Sequence, residues 1–159
     1  MKNIRKTLIY PALTGAMYAA LTMVLAPISY GGVQLRISEV LTLLPFFLPE
    51  TAIGLFVGCA LANTISTAGL LDIVFGSLAT LLAALWTQHT RRKWLAPLPP
   101  VVCNAVIVGA IVTVQQVPAE LFWGTFAYNA LTIGLGEALA CYLLGGLLLT
   151  QLPKSRLFQ

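Results

Sequence analysis

The chain is divided by one polar stretch, Tyr30-Gly31-Gly32-Val33-Gln34-Leu35-Arg36-Ile37-Ser38-Glu39-Val40. An apolar run over residues 8–27 precedes it, and a second apolar run begins at Leu41. Arg36 and Glu39 therefore lie between two apolar segments, at or just inside one face of a bilayer. Ionisable groups at such a depth are costly and usually functional. The sequence predicts that the functional site lies near this stretch.

The composition is that of an integral membrane protein. The 159 residues are 58% hydrophobic and 9% charged, and the mean hydropathy is +0.89. Since one helical span takes roughly 20 residues, the length allows about six helices with short connections. We expect an all-α fold, a six-transmembrane-helix bundle that forms one membrane domain over residues 1–159. The net charge of +4 does not indicate nucleic-acid binding, because the basic residues do not gather on one amphipathic surface.

The apolar pattern predicts helices at about residues 8–26, 39–50, 52–67, 72–87, 100–116 and 122–152. The second helix is short and contains Pro45, so we expect it to be tilted or broken and shielded by its neighbours. The basic residues place both termini in the cytoplasm, since cytoplasmic segments carry the excess of lysine and arginine. Those residues are Lys2, Arg5, Lys6, Arg91, Arg92, Lys93, Lys154 and Arg156. Arg36 is the one basic residue on the outer side of this topology.

Several function classes find no support in the sequence. Cys59, Cys103 and Cys141 each fall inside an apolar run without metal-ligand spacing, so we expect them to be small buried core residues. There is no phosphate-binding loop, and any coupling to ATP must come from partners. An intramembrane enzyme is an alternative of a different class. The single histidine, His89, and the lack of a paired nucleophile argue against it.

A stripe of small residues runs along one face of the first helix. Ala12, Ala16 and Ala20 follow at a spacing of four, and small residues allow a second helix to approach closely. Two interpretations remain open on spacing alone. The stripe packs inside the same bundle, or it docks on a separate membrane subunit.

Polar residues without an obvious structural purpose gather toward the outer half of the predicted bundle. Glu137 would lie near mid-bilayer, where a carboxylate must be protonated, paired or in contact with a ligand. An Arg36–Glu39 or Arg36–Asp72 ion pair, and a neutral Glu137 hydrogen-bonded to a neighbouring helix, are the structural alternatives to a binding site. The candidate binding residues of this group are Gln34, Arg36, Glu39, Asn63, Asp72, Asn129 and Glu137.

Aromatic residues fall near the same outer level. They are typical of the interfacial belt of membrane proteins, but together with carboxylates and amides they also describe a pocket for a flat, nitrogen-rich ring. The residues are Tyr30, Phe75, Trp123, Phe126 and Tyr128.

Three segments together resemble the queuosine-precursor transporter family, QueT. They are the stretch 30–40, Gly58-Cys59-Ala60-Leu61-Ala62-Asn63, and Asp72-Ile73-Val74-Phe75-Gly76-Ser77-Leu78-Ala79-Thr80-Leu81. The resemblance implies a substrate-binding S component of an energy-coupling factor (ECF) transporter in a bacterial cell membrane. Such a component has no enzymatic activity and no cofactor, has a pocket facing outside, and joins a membrane coupling subunit with two ATPases that use the ATP. It also implies that Ala12, Ala16 and Ala20 form the docking surface.

The resemblance further implies a 7-deazaguanine substrate, such as preQ1 or queuine. One carboxylate accepts from the ring N–H and the amino group, and Glu137 or Glu39 is the candidate. A donor to the ring carbonyl is available from Asn129, Asn63, Gln34 or Arg36. Asp72 is the candidate partner of an aminomethyl cation, and the ring faces need Trp123, Tyr128 or Phe75. An S component for another small ring compound, such as a vitamin, is the nearest alternative.

Overall fold

The structure is a computed structural model, and it describes residues 4–30 and 35–151. Several positions that the sequence analysis used lie outside this part of the chain: Gly31, Gly32, Val33 and Gln34 of the polar stretch, the predicted end of the last helix at residue 152, and Lys2, Lys154 and Arg156. The described residues form helices and connecting turns without a strand, which confirms the all-α fold.

The first half of the chain contains three helices. Helix α1 is Tyr10–Val24, preceded by a π turn at Arg5–Ile9 and followed by a short helical turn at Ala26–Ser29. Helix α2, Ile37–Phe46, is a 3₁₀ helix with Pro45 inside it. Because a 3₁₀ helix rises about 2.0 Å per residue, this short element still extends about 20 Å. Helix α3 is Thr51–Ala62 and ends in a 3₁₀ turn.

Each helix of the second half contains a π turn. Helix α4 begins with the π turn Asp72–Gly76 and continues as Ser77–His89. Helix α5 consists of Leu98–Cys103, the π turn Asn104–Val108 and Gly109–Gln116. Helix α6 consists of Phe122–Ala138, the π turn Leu139–Leu144 and Gly145–Gln151. Single π turns inside helices occur frequently at functional sites.

Three helical stretches are long and apolar enough to cross a membrane: Thr7–Val24, Lys93–Gln116 and Ala119–Gln151. Two shorter apolar stretches, Ile37–Phe46 and Thr51–Ile65, accompany them. The chain is therefore a helical membrane protein. The count of six spans and the cytoplasmic position of both termini stay predictions.

The bundle places apolar side chains outside and polar side chains inside. Leu13, Leu131 and Leu139 are exposed, as expected of side chains that face lipid tails. Threonine, asparagine and acidic side chains are buried between the helices. This arrangement is expected where the surrounding solvent is hydrocarbon, because polar groups then find partners only in the interior.

Helices α1 and α3 pack closely through glycines. A β-carbon at Gly54 would overlap the backbone of Pro11, and one at Gly58 would overlap the backbone of Gly15. Close approach through small residues four apart is common between membrane helices. The alanine stripe Ala12, Ala16 and Ala20 lies beside this contact with its side chains exposed. These alanine side chains are thus uncovered among the described residues, and docking on a separate membrane subunit stays a prediction.

Candidate functional site

A cavity of about 390 Å³ opens at the end of the bundle that carries Asp72; we call it the Asp72 cavity. Val112 of α5 and Ile133 of α6 contribute apolar surface to it. Its polar lining comes from four parts of the chain: Tyr30, Ser66, Thr67, Asp72, Gln115, Gln116 and Asn129.

An ion pair is buried beside this cavity. Arg36 Nη2 lies 3.2 Å from Asp72 Oδ2, and the two side chains are 2% and 4% exposed. Ser66 Oγ donates to the same carboxylate oxygen at 2.6 Å, and the Arg36 guanidinium lies over the Tyr30 ring, 5.0 Å from its centre. Of the two ion pairs weighed from the sequence, Arg36–Asp72 is the one that forms. Within the described residues, Arg36 Nε and Asp72 Oδ1 have no hydrogen-bond partner.

Asn63 and Gly76 position the Asp72 side of the pair. Asn63 Nδ2 donates to the backbone carbonyl of Asp72 at 2.8 Å. A β-carbon at Gly76 would overlap Asp72 Oδ1 and would come within 2.9 Å of Asn63 Nδ2. The π turn at the start of α4 therefore needs glycine at this position to accommodate the carboxylate.

Tyr30 connects the polar stretch to the end of α3. Its hydroxyl donates to the Ala62 carbonyl at 2.8 Å and lies 3.3 Å from Asn63 Oδ1. Burial raises the pKa of Tyr30 to about 12, and the nearby Arg36 charge acts in the opposite direction. The hydroxyl thus remains a donor at neutral pH.

The amide of Asn129 is engaged at the α5–α6 side of the cavity. Its Nδ2 donates to Thr113 Oγ1 at 3.0 Å and to Gln116 Oε1 at 2.9 Å. Asn129 lines the cavity, but its amide NH2 group already donates to these two side chains.

A second polar cluster lies deeper in the bundle, and we call it the Glu39 cluster: Tyr18, Glu39, Cys59, Thr80, Asn104, Glu137 and Cys141. The Tyr18 hydroxyl donates to Glu39 Oε1, and Thr80 Oγ1 lies 3.5 Å from the same oxygen. Cys141 Sγ lies 4.0 Å from Glu137 Oε2 and 3.6 Å from the backbone carbonyl of Glu39. Both acids are completely or almost completely buried.

Asn104 is the unsatisfied member of this cluster. Its side chain is 1% exposed and lies beside the Glu39 carboxylate. Neither amide atom of Asn104 has a hydrogen-bond partner among the described residues, and Glu39 Oε2 has none either.

The two polar regions form layers eight residues apart. Thr80 follows Asp72 by eight positions, and Glu137 follows Asn129 by eight. At 1.5 Å per residue this spacing is about 12 Å along the bundle. Buried Ala79, Val108 and Ile133 pack together as an apolar cluster, and their positions place it between the layers.

The structure divides the predicted binding residues into three groups. Arg36, Asn63, Asp72 and Asn129 come together at the Asp72 cavity. Glu39 and Glu137 lie in the deeper cluster instead. The sequence analysis grouped Glu39 with the outer polar residues, but its carboxylate lies in the deeper layer, because α2 begins at Ile37 and carries this side chain inside.

The three aromatic candidates for ring stacking form the last group. Phe75, Trp123 and Tyr128 are 49%, 77% and 67% exposed, and none of the three lines the Asp72 cavity. The structure therefore does not bring them into a shared pocket with the acids. Their exposure fits the interfacial belt that the sequence analysis kept as the other interpretation.

Sequence reasoning missed Tyr18, Thr80 and Asn104. Tyr18 and Thr80 are ordinary residues of membrane helices and gave no signal. Asn104 gave one, because it is the single strongly polar residue within the apolar stretch 101–112, and such residues in membrane segments are usually functional. The cysteines Cys59 and Cys141 are buried as predicted, although they contact polar groups rather than apolar ones alone, whereas Cys103 is only partly buried.

Comparisons with known proteins agree on one family. Residues 8–154 match the family described as QueT transporter. A protein named "Queuosine precursor transporter QueT", from Lactococcus lactis subsp. cremoris (strain MG1363), is 38% identical over 73 residues. That alignment covers 45% of this chain and 43% of the relative, so it spans less than half of either protein. No solved structure matches the chain.

The family and the relative are described as transporters and not as enzymes. The family match covers almost the entire length of the chain, including both polar layers and the segments from which the resemblance was drawn. This chain belongs to the QueT transporter family.

Proposed function

We propose that this protein is the substrate-binding S component of an ECF-type importer and that it takes up a queuosine precursor. The ligand class is the 7-deazaguanines, such as preQ1 or queuine. The name of the Lactococcus relative supports this class of substrate. The observation that carries the proposal is the Asp72 cavity, whose volume of about 390 Å³ falls in the range of about 300–1,000 Å³ found for small-molecule sites.

The charges near the cavity favour a ligand with a cationic arm. Among the described residues, three acids are buried and Arg36 is the buried cation that faces them. Asp72 lines the cavity, and its Oδ1 has no hydrogen-bond partner in the part of the chain that the structure describes. Buried charges require a partner of opposite sign or a change of protonation. An aminomethyl cation bound at Asp72 Oδ1 would supply such a partner.

Docking on a membrane coupling subunit is the second part of the proposal. Ala12 and Ala16 line a groove of about 290 Å³ together with Gly54, Val57, Gly58 and Leu61. The groove is apolar and open, and its small residues permit close approach of another helix. The coupling subunit would carry two ATPases that use ATP, since the sequence of this chain contains no phosphate-binding loop motif.

The proposed setting is a bacterial cell membrane, crossed several times, with the Asp72 cavity facing outside and both termini in the cytoplasm. The exposed apolar side chains of the helices support the membrane setting. The basic cluster Arg91, Arg92 and Lys93 supports the orientation, because it lies between α4 and α5 at the end opposite Asp72.

Thermal unfolding of the purified protein with a panel of 7-deazaguanines and vitamins tests the ligand class. A tight ligand stabilises the folded state by mass action, by about 2.7 kcal/mol at a concentration 100 times the Kd. We expect preQ1 or queuine to raise the unfolding temperature more than any vitamin. A vitamin that binds more tightly would overturn the substrate class and leave the S-component assignment in place.

A further inference from the structure

The Glu39 cluster contains three buried atoms that lack a hydrogen-bond partner among the described residues: Asn104 Nδ2, Asn104 Oδ1 and Glu39 Oε2. Asn104 is 1% exposed and Glu39 is fully buried. Leaving such groups unpaired in a membrane interior costs several kcal/mol each. The cluster therefore offers one donor group and two acceptors that a bound molecule is able to satisfy.

The local backbone places Asn104 at a special position. Asn104 begins the π turn Asn104–Val108 of α5, and π turns inside helices are frequent at functional sites. The turn brings the amide beside the Glu39 carboxylate, whose other oxygen already accepts from Tyr18. Two helices thus present their free polar atoms to one place.

Other amides are less suited to bind a ring carbonyl. Asn63 Nδ2 already donates to the Asp72 backbone carbonyl. Asn129 Nδ2 already donates to Thr113 and Gln116. Asn104 Nδ2 has no hydrogen-bond partner within 3.5 Å among the described residues. A ligand carbonyl would have to replace only its contact to the Glu39 carboxylate, so Asn104 is the better candidate donor.

We propose that Asn104 and Glu39 together recognise the guanine-type edge of the ligand, a role that rests on the function proposed above. This edge presents a carbonyl, a ring N–H and an exocyclic amino group in sequence. Asn104 Nδ2 donates to the carbonyl, and Asn104 Oδ1 accepts from the ring N–H. Glu39 Oε2 accepts from the amino group. One acceptor and two donors of the ligand thereby match the one donor group and two acceptors of the cluster.

The spacing of the two polar layers suits one ligand that spans both. The layers are about 12 Å apart along the helices, and two hydrogen bonds of about 2.9 Å take up roughly half of this distance. A bicyclic ring would occupy the rest, with its edge at Asn104 and its cationic arm at Asp72, once the apolar cluster Ala79, Val108 and Ile133 that packs between the layers opens to admit it. Ile133 lines the Asp72 cavity and lies one helical turn before Glu137, so its side chain must turn aside as the ring enters.

Two variants test this assignment in binding assays with purified protein and two probes. The probes are 7-deazaguanine and 7-deazahypoxanthine, which lacks the exocyclic amino group. We expect Asn104→Leu to lower the affinity for 7-deazaguanine at least tenfold without lowering the thermal stability of the ligand-free protein. If the Asn104 amide had only a structural role, Asn104→Leu would lower the thermal stability of the ligand-free protein, and the affinity of the folded protein for 7-deazaguanine would stay unchanged.

Glu39→Gln tests the contact to the amino group and does not depend on the folding of the first variant. The wild-type protein is expected to prefer 7-deazaguanine over 7-deazahypoxanthine at least tenfold, and Glu39→Gln is expected to lose most of that preference. Thr87→Val is the matched control, because Thr87 is a fully buried threonine near the far end of α4. Its affinity for both probes should equal that of the wild-type protein.

The outcomes separate this inference from the proposed function. If the wild-type protein binds neither 7-deazaguanine nor any other member of the class, the proposed function fails and the inference fails with it. If the wild-type protein binds but Asn104→Leu keeps its affinity, or Glu39→Gln keeps its preference between the probes, the inference alone is overturned. Water alone would then satisfy the three buried atoms.

Discussion

Arg36 Nη2 contacts Asp72 Oδ2 at 3.2 Å, with both side chains almost completely buried. The pair joins the residue that precedes α2 to the first turn of α4, and Ser66 adds a hydrogen bond to the same carboxylate oxygen. Since Asp72 also lines the cavity, this ion pair fixes the position of a carboxylate whose second oxygen has no hydrogen-bond partner among residues 4–30 and 35–151.

The first prediction concerns the energetics of this pair. Arg36→Gln and Asp72→Asn should each destabilise the ligand-free protein by about 3–5 kcal/mol, because each leaves the opposite charge buried without its partner. The double variant should be less destabilised than the sum of the two single variants. Chemical unfolding in detergent measures the free energy of unfolding of the two single variants and of the double variant.

Arg91→Gln is the control for loss of an arginine. Arg91 is exposed in the connection between α4 and α5, so its replacement should change stability by no more than about 0.5 kcal/mol. Strict additivity of the Arg36 and Asp72 substitutions would contradict a direct ionic contact between the two side chains.

The second prediction concerns the glycine beneath the carboxylate. Gly76→Ala places a methyl group against Asp72 Oδ1 and Asn63 Nδ2, so both side chains must move. We expect a loss of about 1–3 kcal/mol in stability from overpacking, together with weaker binding of 7-deazaguanines. Calorimetry and thermal unfolding measure the two effects.

Gly124→Ala is the matched substitution in α6. A β-carbon there meets nothing within 4 Å, and exchange of a helical glycine for alanine usually stabilises by about 0.4–1 kcal/mol. Unchanged ligand affinity in Gly76→Ala would show that the position of Asp72 does not matter for binding.

With the exception of Glu39, the sequence predicted how deep the polar residues lie in the bundle better than it predicted which helix face carries them. Counting residues along apolar runs placed Asp72 and Asn129 near one end of the bundle and Glu137 two turns deeper, and the structure has the same order. The Arg36–Asp72 ion pair was among the alternatives because the apolar segments contain few charged residues, so few acids were available to neutralise Arg36. Distance along a helix follows from the chain itself.

The sequence did not predict in the same way which face of a helix points into the bundle. Trp123 and Tyr128 lie at the expected level, but their side chains point away from the cavity, because the packing of α6 against α5 decides which face is inside. Asn104 was overlooked for a related reason. Its significance depends on Glu39, which is 65 positions earlier in the chain (104 − 39 = 65), and only the folded structure brings the two together.

The third prediction concerns Glu137. Its carboxylate is 1% exposed and lies in the same cluster as Glu39. Glu137→Gln should lower ligand affinity more than tenfold while the protein remains folded, because Glu137 interacts with Glu39 in the layer proposed to hold the ligand edge. The amide has nearly the same shape but replaces an acceptor with a donor. Isothermal titration of the purified variant measures the affinity, and Glu120→Gln, at an exposed position before α6, is the control. An affinity equal to that of the wild-type protein would remove Glu137 from the binding site.

The fourth prediction concerns the exposed alanine stripe of α1. Ala16 lines the groove between α1 and α3, and a leucine there would fill the space that a partner helix needs for close approach. Ala16→Leu should therefore block co-purification with the coupling subunit while ligand binding by the isolated protein stays unchanged.

Ala127→Leu makes the same exchange at an exposed position of α6, on a helix that does not line the groove, so it should assemble normally. Comparison of Ala16→Leu with Ala127→Leu shows whether assembly depends on the alanine stripe itself or is weakened by any added side-chain volume on the bundle surface. If Ala16→Leu also yields a complete complex, the partner must bind elsewhere, because a leucine side chain cannot fit between helices that meet through alanine and glycine.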